Sequence, residues 1–74
     1  MKEVDYGTVT IKLKQIMDEQ NISINKLSNR ADMQRAQLKK YMRNEAQRID
    51  FAVLARLCYV LECDISEILE YKQP

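Results

Sequence analysis

The chain has no histidine, one glycine, one proline (the last residue) and two cysteines among 74 residues. Each shortage removes a class of reading. Without histidine, a zinc site on Cys58 and Cys63 lacks the two further soft ligands it needs. With no glycine-rich phosphate loop and no carboxylate pair in a credible pocket, the chain does not read as an enzyme, and nothing asks for a cofactor. So small a chain also has little interior for a ligand cleft, and no small-molecule ligand is evident. One glycine and one proline leave no room for many tight turns, so an all-α bundle with short connections fits best. Two cysteines do not make a disulfide scaffold. Five residues apart on or near one helix, they are expected to point in different directions, with Cys58 in the core. No apolar run reaches the length of a membrane span, and no signal-peptide core opens the sequence. The expectation is therefore a cytoplasmic protein without a membrane partner. The length is that of one domain.

Charge is short overall but not locally. The net charge is +1. Residues 1–29 balance, and residues 49–74 carry two cations against five carboxylates. Residues 30–48 carry Arg30, Arg35, Lys39, Lys40, Arg43 and Arg48 against only Asp32 and Glu45. Attraction to a polyanion depends on the local field, so this block matters more than the net value. Read as a helix at about 100° per residue, Gln34–Arg43 has two faces. Arg35, Ala36, Lys39, Lys40 and Arg43 fall within roughly 140° of arc, with Leu38, Tyr41 and Met42 opposite. One face packs on a core. The other offers four cations and no carboxylate, which suits the DNA major groove.

Along the chain, residues 1–10 read as an arm or a short strand. From Ile11 to Gln20 the pattern is helical, with Leu13, Ile16 and Met17 inward. Asn21 ends that helix, since Asn tolerates a left-handed backbone. Ser23 caps a second helix with Ile24, Leu27 and Ala31 as its buried stripe. Asp32-Met33 is a tight connection to the basic helix, and Asn44–Arg48 is a polar loop. Asp50 caps a fourth helix with Phe51, Leu54, Leu57, Cys58 and Leu61 buried. Asp64 and Glu67 make a capping box for a short fifth helix with Ile65, Ile68 and Leu69 inward. Tyr71–Pro74 reads as a frayed tail. Met17, Met33 and Met42 are core filler, and Tyr41 packs inward with its hydroxyl at the edge. Tyr59 and Val60, if exposed with Tyr71 or Ile68, form a candidate dimer patch.

Two short helices joined by a tight turn, Ser23–Ala31 and Gln34–Arg43, look like a helix-turn-helix. With the signature Arg48-Ile49-Asp50-Phe51-x-x-Leu54-x-x-Leu57-Cys58-x-x-Leu61-x-Cys63-Asp64-Ile65-x-Glu67-Ile68-Leu69, the chain resembles Cro and phage-repressor-type domains, the XRE family of transcriptional regulators. The resemblance covers residues 11–71, with an arm or strand at 1–10 and a tail at 72–74. It implies an all-α, five-helix, phage-repressor-like domain with a central helix-turn-helix. Four positions depart from the family pattern. Asp32 stands where the turn usually has Gly, Ser28 where a small apolar residue is usual, Ile24 for an opening Gln, and Gln34 for a Ser or Thr cap.

The resemblance also implies roles. The third helix lies in the major groove with its N-terminal side chains on base edges. The matching base-reading positions are Gln34, Arg35, Ala36, Lys39 and Lys40. Arg35 is suited to guanine, Gln34 to adenine or to a bond at the helix start, and Ala36 to a thymine methyl. Lys39 and Lys40 read bases or grip phosphate. Backbone contacts fall to Gln37, Arg43, Asn44 and Arg48, and to Asn25 and Lys26 at the start of the second helix.

The implied function is sequence-specific binding of double-stranded DNA as a transcriptional regulator, in the first reading a repressor. A homodimer on a palindrome would double the base contacts. The alternative is a protein-interaction module, antitoxin-like or anti-repressor, on the same fold with weak or no DNA binding. The Ile24 and Asp32 departures motivate it.

Overall fold

The computed structural model describes residues 4–74; positions 1–3 of the expected arm lie outside the described residues. The order is β1 (Thr8–Ile11), α1 (Leu13–Gln20), α2 (Ile24–Ala31), α3 (Arg35–Met42), α4 (Phe51–Leu61), α5 (Ile65–Ile68) and β2 (Leu69–Lys72). The five helices are present, and the class is helical. No described helix is long and apolar enough to cross a membrane.

The caps fall where the side chains dictate. Ser23 Oγ accepts the Lys26 N–H at 3.1 Å, and Asp50 Oδ1 accepts the Ala52 N–H at 3.1 Å. Asp64 and Glu67 close a reciprocal capping box. The helix ends are less ordinary. Asn21, Asp32, Asn44 and Glu62 all have φ between 52 and 59°. In each case the next residue returns its N–H to a carbonyl five residues back: Ile22 to Met17, Met33 to Ser28, Glu45 to Lys40, Cys63 to Cys58. This is the six-to-one bond of a left-handed helix stop, a position glycine usually fills. Here no glycine fills it.

One apolar core joins all five helices. Leu13, Leu27, Leu38, Leu57, Leu61 and Ile68 are fully buried at its centre, and no polar side chain is buried among the described residues. Two expected core residues lie outside it. Phe51 is 86% exposed, because the buried stripe of α4 is Val53, Leu54, Leu57 and Leu61, and Phe51 sits about 100° from its centre on the first turn. Ile65, at the first position of α5, is exposed, while Ile68 is fully buried. Cys58 is half-buried against the core.

The ends of the described chain form an antiparallel ribbon. Thr8 lies opposite Lys72, Val9 opposite Tyr71, Thr10 opposite Glu70 and Ile11 opposite Leu69. Within the expected arm or strand, Thr8–Thr10 are strand, and the pairing corrects two expectations. Ile11 closes β1 instead of opening α1, and Lys12 N–H donates to the Ile68 carbonyl at 2.6 Å. Tyr71 is not frayed: it lies within β2, and its hydroxyl donates to the Tyr6 carbonyl at 2.6 Å. Gly7, at φ 87°, lies under this crossing, where a Cβ would run into the Lys72 carbonyl.

Candidate nucleic-acid interface

α2 and α3 are joined through Asp32, Met33 and Gln34. Asp32 holds the left-handed position that glycine usually takes, at φ 52°. Two other side chains reinforce the turn. Ser28 Oγ donates to the Met33 carbonyl at 2.5 Å, and Met33 N–H returns to the Ser28 carbonyl at 3.1 Å. Ser28 is thus both small and a lock. From α4, Arg56 Nη1 donates to the carbonyls of Ala31 at 3.3 Å and Asp32 at 3.0 Å. A guanidinium at the end of α2 satisfies orphan carbonyls and complements the helix dipole. Sequence reasoning missed Arg56. Its role depends on how α4 crosses α2, which no local pattern encodes.

On α3, Leu38 and Tyr41 are buried and Met42 is half-buried, while Arg35, Ala36, Lys39, Lys40 and Arg43 are exposed. The two faces expected from periodicity are therefore present. Gln34 is the exposed N-cap residue, and its side chain makes no capping bond. The helix-start bond is thus not made among the described residues. Gln37 is half-buried, and its Nε2 donates to the Tyr41 hydroxyl at 3.1 Å.

Asn25 and Lys26 are exposed at the start of α2. Arg35 Nη1 donates to Asn25 Oδ1 at 3.0 Å, bringing the first turns of α2 and α3 together. That bond occupies the amide oxygen and leaves the Asn25 NH2 to donate outward. It also limits the guanidinium's freedom, so a planar donor fork stands at the head of α3.

At the other end, Arg43 and Arg48 are exposed, with Arg43 Nη1 4.0 Å from Glu45 Oε1 in solvent. Such a pair contributes little and leaves the cation available. Asn44 also holds the chain together: its Oδ1 accepts the Ile11 N–H at 3.0 Å, tying β1 to the end of α3. No sequence signal connects positions 33 apart. Ten of the eleven candidate residues lie at the head of α2, at the start and outer face of α3, and in the turn after it, while Gln37 is half-buried against Tyr41.

No functionally curated protein is a significant match to this chain. Among solved structures, it resembles a Bacteroides fragilis protein to which DNA binding has been ascribed, at TM-score 0.75 and 13% identity over 85% of this chain and 100% of that one. It also resembles the transcriptional regulator VanUg, at TM-score 0.72 and 21% identity over 100% and 99%. A third likeness is to SinR, a master regulator for biofilm formation solved in complex with DNA, at TM-score 0.67 and 23% identity over 72% and 84%. These likenesses show a shared fold. The profile of the Cro/C1-type HTH DNA-binding domain matches residues 12–74, most of the chain, and the chain belongs to that family.

Proposed function

We propose that this protein binds double-stranded DNA sequence-specifically as a transcriptional repressor, with α3 in the major groove. One observation carries the reading. The outer face of α3 presents Arg35, Lys39 and Lys40 to solvent, and its C-cap adds Arg43, with no carboxylate on the helix. Arg35 is the base reader, since a guanidinium bonds the O6 and N7 of guanine together. Gln34 and Ala36 flank it. Lys39 and Lys40 lie one turn on and add phosphate attraction. The Asn25 amide, Lys26 and the open N–H groups at the head of α2 take one phosphate, and Arg43, Asn44 and Arg48 take the flanking backbone. A second copy on a palindromic site doubles the base contacts.

The test is a salt titration of binding to random duplex DNA. Binding constants should fall steeply with salt for the wild type. The Lys39→Ala/Lys40→Ala variant should flatten the log–log slope by up to about two units. An operator selected from random sequence should then lose its preference at one position, by about 1–3 kcal/mol, in Arg35→Ala. No binding even at low salt would overturn the reading in favour of a protein-interaction module.

A further inference from the structure

The spacing of Cys58 and Cys63 predicts that they point apart. The end of α4 brings them together instead. Glu62 takes the left-handed position at φ 52°, the chain reverses, and Cys63 N–H donates to the Cys58 carbonyl at 3.1 Å. In a stop of this kind the residue after the reversal folds back over the one five before it. Both cysteines are free and half-buried, and both open into one surface cleft bordered by Arg30, Tyr59 and Glu67. A backbone hydrogen bond of this length holds two α-carbons near the separation a disulfide requires, about 4.4–6.8 Å.

We propose that Cys58 and Cys63 form a reversible dithiol–disulfide pair, an oxidation site at the turn between α4 and α5 that small-molecule disulfides close. One cysteine thiolate attacks a sulfur of oxidised glutathione and expels one glutathione thiolate. The second cysteine thiolate attacks the protein sulfur of that mixed disulfide, forms the 58–63 S–S bond and expels the other glutathione. The two thiol protons pass to the departing thiolates. Two electrons move from the protein pair to the reagent, which leaves as two reduced glutathiones.

The surroundings make the pair slow to react. Burial raises the Cys63 thiol above its ordinary value, and Cys58, Glu67 and Asp64 beside it raise it further. The thiolate is the reactive species, so attack on a disulfide is slowed at neutral pH and quickens as pH rises. Neither cysteine lies on α3, which makes this site separable from the DNA-facing surface.

The experiment equilibrates the full chain with glutathione buffers of graded potential, once folded and once in guanidinium, and reads intact mass after acid quench. The folded wild type should lose the mass of two hydrogen atoms, with peptides linked between residues 58 and 63. Its equilibrium constant for closure should exceed that of the unfolded chain at least tenfold, a shift of about 30 mV. Cys58→Ser and Cys63→Ser should each stop at a single glutathione adduct. Equal closure in the folded and unfolded chains would overturn the proposal, because the turn would then contribute nothing. So would disulfides formed only between molecules, or adducts that never resolve in the folded wild type.

Discussion

The turn after α2 and the turn after α4 share one backbone plan. Each places an acidic residue in the left-handed region, Asp32 and Glu62 both at φ 52°, and each returns the next N–H to a carbonyl five residues back. They differ in how other elements hold them. The first is braced by a cation from α4, with Arg56 on two carbonyls, and by Ser28 on the Met33 carbonyl. The second is braced by a neutral amide from α1, Gln20 Nε2 on the Leu61 carbonyl at 2.7 Å. A missing glycine therefore need not undo a helix stop when side chains from elsewhere satisfy the freed carbonyls. The heavier bracing falls on the turn that sets the angle of α3.

Variants can break that comparison, beginning with the largest effect. Arg56→Met keeps the aliphatic packing but removes both carbonyl bonds. It should cost about 1–2 kcal/mol, a partly exposed site lowering the figure, seen as a lower urea midpoint at unchanged slope. Gln20→Ala should cost about 1 kcal/mol at the other turn. If the two losses come out reversed, the bracing is not weighted toward the helix-turn-helix. Glu62→Gly should stabilise the chain by about 0.5–1 kcal/mol, since glycine enters the left-handed region without strain. Asp32→Gly should gain less, under about 0.5 kcal/mol, because Asp already tolerates that conformation. Equal gains would show that the identity of the left-handed residue is immaterial.

The smallest effect is alkaline. The Cys63 thiol is raised in the folded chain by burial and by its neighbours Cys58, Glu67 and Asp64, so the folded state holds that proton more tightly than the unfolded state. The associated stability is complete below the ordinary thiol range and declines as pH rises through the folded value. Denaturation midpoints taken from neutral to alkaline pH should show this decline in the wild type and not in Cys63→Ser.

Features that depend on neighbours in sequence were legible. Ser23, Asp50 and the Asp64–Glu67 pair announce helix starts, and Asn21 and Asp32 announce stops, because a cap is made within a few residues. The cationic face of α3 was legible for the same reason, through periodicity alone. The bonds of Asn44 to Ile11, Arg56 to the end of α2 and Arg35 to Asn25 were not, because each requires two elements to have already packed. Phe51 reads as core by its chemistry, and only the orientation of α4 exposes it. The strand at Leu69–Lys72 follows a capping box that promised a longer helix. Its partner lies at the opposite end of the described chain, beyond any window of local pattern.

That ribbon has a kinetic consequence. Pairing Thr8 with Lys72 closes nearly the whole chain into a loop, and two strands alone bury little against the core. Closure entropy must be met before such a contact is rewarded, and a lone two-stranded ribbon is marginal in water. The ribbon is therefore expected to zip after the helices have docked and to unzip first. Its amides are expected to exchange with solvent through openings that leave α2 and α3 intact, so the molecule would breathe at its clasp while the helix pair stays assembled.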